Sequence, residues 1–264
     1  MTSPDESGVV LCSKADGVMT LTLNRPERLN AWTPEMETRY FQLLEAAADD
    51  HEVRAIVVTG AGRGFCPGVD MEKLQAIGSA GAGFRHSRPQ SFPLTIPKPI
   101  IAAINGACAG LGLVQALMCD VRFAAAGAKF TTAFVRRGLV AEHGSSWLLP
   151  RLVGHATALD LLLSGRVVLA EEAQAIGLVN RVIAPDALLE TAVAYARDMA
   201  QNCSPASMAS IKRQVYGHYE AGLAVAIRET NELIRASLKA PDFREGVASF
   251  VEKRPPRFSP IGDR

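Results

Sequence analysis

The sequence lacks an excess of charge of either sign, and it also lacks paired cysteines. Its 28 Lys and Arg residues balance 27 Asp and Glu residues, which leaves a formal net charge of +1 over 264 residues. A chain this close to neutral is not expected to have nucleic acid or an anionic membrane as its main partner. The five cysteines form no C-x-x-C pair. Because free cysteine prefers protein cores, we expect buried, reduced thiols rather than a zinc site or a disulfide framework.

Long apolar runs are missing as well. The N-terminal stretch has no basic segment followed by an apolar one, so a signal peptide is not expected. The longest apolar segments contain Gly, Asn or charged residues and are too short to span a bilayer. The histidines and Gln115 show no metal-ligand spacing. These absences predict a cytoplasmic protein with no metal site and no contact with a membrane.

The first two-thirds of the chain alternates strand-like and helical segments. Residues 17–23 alternate between polar and apolar side chains, as a strand with one solvent-facing side does. Residues 55–59, 99–105 and 121–125 are apolar almost throughout, as strands covered on both faces are. A helix that begins after Thr33, a typical N-cap residue, lies between the first two strands. Strands separated by helices predict an α/β fold with a largely parallel sheet.

Two later segments differ from this alternation. Residues 77–97 carry Gly, Ser and Pro without a period, which predicts a long loop of the kind that often forms a lid or a binding loop. From about Ser204 the chain is almost entirely helical, beginning with this N-cap residue and a following Pro205. We therefore divide the chain into a core of residues 1–200 and a C-terminal helical region of residues 201–264.

The glycines that follow the second predicted strand do not match a dinucleotide-binding motif. Residues 60–64 read GAGRG, but no G-x-G-x-x-G is present, and Phe65-Cys66-Pro67 follows where a helix would begin. The stretch is better interpreted as a tight turn that carries the chain onward.

The stretch FCPGVDMEKL at residues 65–74 has the features of an anion site. Gly68 allows close approach of the backbone, and Asp70 is a plausible N-cap for a short helix that starts at Met71. The N–H of Val69 would then lie beside a helix N-terminus, where negative charge is favourable.

The stretch NGACAGLGLVQALMCD at residues 105–120 has similar features. A buried strand ends at Asn105, glycines follow, and an apolar helix begins whose first N–H groups have no partner within the helix. Taken singly, either stretch is explained equally well by glycines that only permit close packing.

Together, these stretches resemble the crotonase, or enoyl-CoA hydratase/isomerase, family. The resemblance runs from about Val9 to Phe258 and is carried by six motifs. They are LNRPERLNAW (23–32), VVTGAGRGFCPGVDM (57–71), IPKPIIAAINGACAGLG (96–112), ALMCDVRFAA (116–125), GLVAEHGSSWLLPRLVG (138–154) and PDFREGVASFVEKRPPRF (241–258).

The resemblance implies a spiral of ββα turns, an acyl-CoA substrate, and C-terminal helices that assemble a homotrimer or a dimer of trimers. It implies no cofactor beyond the coenzyme A moiety of the substrate. By the same match, the oxyanion hole for the thioester carbonyl consists of the backbone N–H groups of Val69 and Leu111. Each such donor contributes about 3–4 kcal/mol to stabilising the oxyanion by analogy with other oxyanion holes. The larger side chain of Leu111, where many relatives have Gly or Ala, would reshape the acyl pocket.

The resemblance also implies which residues line the groove for coenzyme A and the acyl group. Arg28 would suit the phosphates of coenzyme A, although a solvated arginine is the plain alternative. The candidate substrate-binding residues are Arg28, Ala31, Cys66, Gly68, Asp70, Met71, Gly110, Val114 and Phe134.

The sequence departs from the family pattern at the catalytic carboxylates. Hydratases of the family carry two glutamates, and Val114 and Phe134 occupy the matching positions here. Glu142 falls where certain family isomerases and a dehalogenase place an Asp or Glu, so it is the candidate acid/base. A nucleophilic role is open if the substrate has a leaving group, and a surface glutamate at a helix start is the plain alternative. His143 is a second possible proton carrier, but we expect it to point away from Glu142, because neighbours on a loop usually point apart. Ser145 or Ser146 is expected to cap the helix that follows.

Three functions remain open from the sequence. The first is double-bond isomerisation of an enoyl-CoA with Glu142 as the single acid/base. The second is hydration of a 2-enoyl-CoA by an unusual active site. The third is an acyl-CoA binding protein that has lost the chemistry.

Overall fold

The structure is a computed structural model of the chain, and it describes residues 8–80 and 88–261. Within these residues the chain forms ten strands and ten α-helices. The strands are β1 (Val10–Ala15), β2 (Val18–Leu23), β3 (Ala55–Gly60), β4 (Gly64–Cys66), β5 (Ile100–Ile104), β6 (Ala107–Ala109), β7 (Val121–Ala125), β8 (Lys129–Thr131), β9 (Val168–Leu169) and β10 (Arg181–Ile183). The helices are α1 (Pro34–Asp49), α2 (Met71–Ala80), α3 (Leu111–Leu117), α4 (Ser145–Val153), α5 (His155–Ser164), α6 (Ala170–Ala175), α7 (Leu188–Asn202), α8 (Pro205–His218), α9 (Leu223–Ser237) and α10 (Pro241–Val251).

The larger sheet has six strands in the order β1-β2-β3-β5-β7-β10. Every neighbouring pair is parallel except β1 and β2. In the centre, Val58 lies in register with Leu21 on one side and Ala102 on the other. All residues of β3 and β5 are buried, which confirms the prediction that these apolar runs are covered on both faces. The sequence analysis missed β1, an edge strand whose last three residues, 13–15, are exposed.

The smaller sheet has four short strands in the order β4-β6-β8-β9. Three of its strands each follow directly after a strand of the larger sheet, and a helix comes next along the chain. The three repeats are β3-β4-α2, β5-β6-α3 and β7-β8-α4. This succession is a spiral of ββα turns, and it confirms the predicted α/β fold class.

Local sequence signals explain where the first helix begins. The Thr33 hydroxyl accepts a hydrogen bond from the N–H of Met36 at 3.2 Å, and Pro34 occupies the first helical position. The helix buries an apolar face that includes Tyr40, Phe41 and Leu44. The expected helix after Thr33 is therefore confirmed, with the cap that the sequence predicted.

The predicted loop at residues 77–97 is shorter than expected. The helix α2 continues to Ala80, and a short 3-10 helix occupies Phe92–Thr95. The central part of the expected lid or binding loop, residues 81–87, lies outside the described residues.

The C-terminal helices differ in how they join the core. The helix α7 buries Ala192, Ala196 and Ala200, so the boundary predicted at residue 200 falls in the last turn of a core helix. The helix α8 is fastened by Lys212, whose Nζ lies 2.8 Å from Oδ2 of Asp120. The same Asp120 oxygen also accepts a hydrogen bond from the N–H of Ile100. Among the described residues, every helix is too short or too polar to be a membrane span.

Candidate active site

The parallel pairing of β4 with β6 brings two loops of the chain together. Cys66, at the end of β4, lies in register with Cys108 on β6. The helix α3 begins just after β6 and packs directly on the end of β4. A methyl group added to Gly112 would lie 2.1 Å from the carbonyl oxygen of Cys66. Only glycine permits this approach, so the segments that follow β4 and β6 lie side by side.

The N–H of Val69 points away from the strand-like segment beside it. Val69 forms an isolated parallel bridge with Trp32. The hydrogen bonds of this bridge use the neighbours of Val69: the N–H of Trp32 donates to Gly68 at 2.8 Å, and the N–H of Asp70 donates to Trp32 at 3.0 Å. In a parallel pairing the residue between these two directs its own N–H to the opposite side. The Val69 N–H is therefore directed away from Trp32.

The second candidate donor lies close to the first. Leu111 is the first residue of α3, where the N–H has no carbonyl four residues earlier within the helix. Gly68 adopts a φ of +107°, and a methyl group added there would lie 3.6 Å from the Leu111 nitrogen and 3.1 Å from the Ala109 oxygen. The turn around Gly68 thus places the backbone that carries Val69 against the start of α3.

A cavity of about 550 Å³ opens at this junction. All of the candidate residues named from the sequence line it except Cys66 and Val114. Its lining consists of Arg28, Ala31, Pro67, Gly68, Val69, Asp70, Met71, Leu74, Gly110, Leu111, Thr132, Ala133, Phe134, Arg137, Leu139, Glu142 and His143.

Cys66 and Val114 lie behind the cavity wall instead of in it. Both residues are fully buried in the core. Burial raises the pKa of the Cys66 thiol to about 12, so it stays protonated near neutral pH. Val114 faces the core from α3, since this helix is buried on all sides. These two residues shape the site through packing, not through contact with its contents.

Glu142 and His143 face the cavity together, so the expectation that they point apart was wrong. Nε2 of His143 lies 3.8 Å from Oε2 of Glu142, and their side chains are 26% and 31% exposed respectively. His143 has a φ of +53°, in the left-handed region. The backbone therefore turns sharply at His143, just before the helix α4. This backbone geometry, which the sequence does not reveal, brings both side chains to the same side.

The expected serine cap of α4 was also wrong. Gly144 is the N-cap residue of this helix, and no side chain caps it. The N–H of Ser145 donates instead to the Glu142 carbonyl at 2.9 Å, which ties the loop to the first turn. Since Ser145 is itself buried, the helix start is held by the backbone and by packing.

Each carboxylate oxygen of Asp70 makes a separate contact in the wall of the cavity. Its Oδ1 accepts a hydrogen bond from the N–H of Glu72 at 3.1 Å, which makes it the predicted cap of α2. Its Oδ2 lies 3.1 Å from Nη2 of Arg25, whose Nη1 donates to the Ala31 carbonyl at 2.6 Å. Burial alone would raise the pKa of the Asp70 carboxyl, but these hydrogen bonds outweigh burial and lower it. The sequence reading missed Arg25, because its partner is 45 residues away.

The rest of the lining combines apolar side chains with two exposed arginines. Phe134 is buried against the start of α3, and Leu139 and Leu74 extend the apolar wall. Arg28 pairs with Glu72 at 2.8 Å on the surface, and the exposed Arg137 is the last residue of a short 3-10 helix, Val135–Arg137. An apolar cavity with cationic side chains at its mouth suits a ligand with an apolar end and an anionic end. Arg137 was not singled out from the sequence.

Comparison with known proteins agrees with this architecture. The model of the enoyl-CoA hydratase/isomerase family matches residues 13–260. The chain is 36% identical to a 1,2-epoxyphenylacetyl-CoA isomerase of Escherichia coli, over 95% of this chain and 98% of the relative. It is 37% identical to an enoyl-CoA hydratase of Alternaria alternata, over 92% of this chain and 83% of the relative.

Solved structures show the same likeness in three dimensions. An enoyl-CoA hydratase from Polaromonas sp. JS666 superposes with a TM-score of 0.87 at 31% identity, covering 94% of this chain and 99% of that one. An enoyl-CoA hydratase from Mycobacterium marinum has 51% identity and a TM-score of 0.69, covering 82% of this chain and 98% of that one. The chain therefore belongs to the enoyl-CoA hydratase/isomerase family.

Proposed function

We propose that this protein isomerises the double bond of an enoyl-CoA, with the N–H groups of Val69 and Leu111 as the oxyanion hole and Glu142 as the acid/base. The observation that carries the proposal is the shared cavity. Glu142, Val69 and Leu111 all line it, while Val114 and Phe134 occupy the positions that match the two hydratase glutamates.

The thioester would bind with its carbonyl oxygen between the two N–H groups. Both donors belong to backbone that is fixed by packing, by the Trp32 bridge and by the cap of α2. Preorganised donors of this kind do not have to reorient as charge develops on the oxygen, so they stabilise the enolate more than water does. Arg28 and Arg137 at the rim would face the phosphates of coenzyme A.

Proton transfer then needs only one carboxylate. In a 3-enoyl-CoA, the Glu142 carboxylate removes a proton from C2, and the electron pair moves into the carbonyl to give a dienolate. The resulting carboxylic acid returns the proton to C4, and the double bond forms between C2 and C3. One group can serve both steps because it leaves the first in the protonation state that the second requires.

The names of the relatives suggest one further substrate to test. A relative of nearly the same length is a 1,2-epoxyphenylacetyl-CoA isomerase, and the aromatic ring of Phe134 lines the cavity here. Hydration is less well supported, since Val114 and Phe134 stand in place of the two glutamates and neither side chain can transfer a proton. We therefore treat 3-enoyl-CoA isomerisation as the principal activity and epoxide isomerisation as the second candidate.

The test is turnover by the purified protein of 3-enoyl-CoA, 2-enoyl-CoA and 1,2-epoxyphenylacetyl-CoA, with products separated by chromatography. We expect a 2-enoyl-CoA product from the first substrate. In Glu142→Gln, the rate should fall by about 100-fold or more, while binding of a saturated acyl-CoA is retained. The matched control is Glu190→Gln on the exposed surface of α7, which should leave the rate unchanged.

Two results would contradict the proposal. Isomerisation that survives Glu142→Gln would remove this residue from the mechanism. Tight acyl-CoA binding without turnover of any of the three substrates would favour a binding protein instead of an enzyme.

We further infer that the chain assembles as a homotrimer or a dimer of trimers through its C-terminal helices. The helix α9 has no buried residue within the chain. A groove of about 670 Å³ between α8, α9 and α10 is lined by apolar side chains that include Ile211, Phe243 and Phe250. These side chains are exposed to water in a single chain, so association that buries them is favoured.

A further inference from the structure

A buried chain of polar side chains runs behind the two candidate N–H donors. Gln115 donates through Nε2 to Oε1 of Gln90 at 2.5 Å, and Gln90 donates through Nε2 to Oε2 of Glu37 at 2.6 Å. The three residues are 2%, 2% and 5% exposed, respectively. They belong to α3, to the segment before the short helix Phe92–Thr95, and to α1. One hydrogen-bonded chain therefore crosses three separate elements in the interior.

Each end of this chain reaches a segment that carries one donor. Gln115 lies four residues after Leu111 on α3, which places both on the same face of that helix. At the other end, Oε2 of Glu37 also accepts a hydrogen bond from the indole Nε1 of Trp32 at 3.2 Å. The backbone of Trp32 in turn bonds to Gly68 and Asp70, on either side of Val69. This series of hydrogen bonds thus connects, through the core, the two segments that carry the N–H groups of Val69 and Leu111.

Stability alone does not explain Gln115. Its Oε1 atom is buried and accepts no hydrogen bond from the described residues. A buried acceptor without a partner costs free energy, and this cost offsets the stabilisation from the hydrogen bond that Gln115 donates to Gln90. What the amide provides and an apolar side chain does not is a directional bond, which fixes the rotation of α3 relative to α1.

We propose that Gln115, Gln90 and Glu37 are positioning residues that hold the Val69 and Leu111 N–H groups in a fixed relation to each other. None of the three lines the cavity, so they act through the backbone and not by touching the substrate. The inference rests on the proposed function, since it assumes that both N–H groups bind the thioester oxygen.

The test uses Gln115→Met, which removes the unsatisfied Gln115 oxygen but also removes the Gln115 donor to Oε1 of Gln90, so one unpaired buried acceptor is exchanged for another. We expect thermal unfolding close to that of the native protein. The readout is the absorption of bound 4-(dimethylamino)cinnamoyl-CoA, whose maximum moves to longer wavelength as its carbonyl is polarised. The variant should show a smaller red shift than the native protein, and kcat for isomerisation should fall about 10-fold with little change in KM.

Two further variants separate positioning from general stability. Gln90→Met removes both hydrogen bonds of the series from Gln115 to Glu37. The double variant Gln90→Met/Gln115→Met should therefore lose no more of the red shift than the single variant with the larger loss. Thr59→Val is the control: it removes a buried hydrogen bond of 2.8 Å to Ala103, away from the cavity, and should leave the red shift native.

The outcomes are distinct for the two proposals. A native red shift and native kcat in Gln115→Met would overturn the positioning role while leaving the proposed function intact. A fall in kcat with an unchanged red shift would also overturn it, because the donors would still be aligned. If the native protein itself gave no red shift, the oxyanion hole would be overturned, and the positioning role with it.

Discussion

Nε2 of His143 lies 3.8 Å from Oε2 of Glu142, and both side chains line the cavity that holds the two candidate N–H donors. At this separation the charge of one group changes the energy of the other. A protonated imidazole would favour the carboxylate, the form of Glu142 that removes a proton. We therefore expect both side chains to affect how the rate of the reaction depends on pH.

Replacement of His143 should change the pH profile more than the maximal rate. Imidazole is the side chain that ordinarily changes charge between pH 5 and 8. In His143→Gln, we expect kcat/KM for 3-enoyl-CoA to fall by about 2- to 10-fold and its pH dependence in that range to flatten. Steady-state rates from pH 5 to 9 would measure this, with His155→Gln on α5 as the control. A profile identical to that of the native protein would show that His143 takes no part.

Gly68→Ala should damage both the fold and the oxyanion hole. A φ of +107° is strained for alanine, and its methyl group would lie 3.1 Å from the Ala109 oxygen. We expect a loss of about 1–3 kcal/mol in the free energy of unfolding. The rate should fall about 100-fold because the Val69 N–H moves. Urea unfolding and steady-state kinetics would measure the two effects.

The matched control for Gly68→Ala is Gly127→Ala. Gly127 also has a positive φ, of +74°, but a methyl group there would meet nothing within 4 Å. Backbone strain should therefore destabilise this variant without changing its rate. If both variants kept native kinetics, the position of the Val69 backbone would not matter to the reaction.

Asp70→Asn tests the charge pair with Arg25 at the cavity wall. A carboxyl group whose pKa is lowered by folding stabilises the folded state above its unfolded pKa of about 3.9. That contribution is lost as the pH falls through the folded pKa. Because asparagine still caps a helix, the substitution mainly removes the charge. We expect it to lower the free energy of unfolding by about 1–3 kcal/mol at pH 7.

The pH dependence distinguishes this charge effect from a loss of packing. The pKa of Asp70 is lowered in the folded protein, so the difference between the native protein and Asp70→Asn should shrink below about pH 4. Urea unfolding at pH 7 and at pH 3.5 would measure it, with the exposed Asp186→Asn as a control. An equal difference at both pH values would mean that the charge does not stabilise the wall.

The sequence predicted those parts of the fold that depend on local signals. The apolar runs of β3 and β5 and the Thr33 cap of α1 are visible within a few neighbouring residues. The smaller sheet was not visible, since its strands have only two or three residues each. Segments this short carry no periodicity, and they become strands only because the spiral places partners beside them.

The same distinction between local signals and long-range contacts applies to the candidate site. Val69 and Leu111 were predicted because their motifs resemble those of the family, and the glycines and helix starts nearby agree with that resemblance. The partnership of Arg25 with Asp70 and the chain from Gln115 to Glu37 depend on residues that are distant in sequence. Such contacts arise from tertiary packing and have no signature in a single sequence.

The C-terminal helices allow a direct test of assembly. Phe250 on α10 is 85% exposed within the chain and lines the apolar groove between α8, α9 and α10. In a trimer built through these helices its ring would be buried, so Phe250→Asp should place a charge in an apolar interface. We expect the native protein to have three or six times the mass of one chain in light scattering, and the variant to dissociate.

A matched substitution shows whether dissociation is specific to the interface. Leu189 on α7 is also exposed, at 42%, but it lies outside the groove. Leu189→Asp should therefore keep the native mass. A native protein with the mass of a single chain would contradict assembly through these helices. A Phe250→Asp variant that remains trimeric would place the contact elsewhere, because a buried aspartate at an apolar interface without a partner costs several kcal/mol.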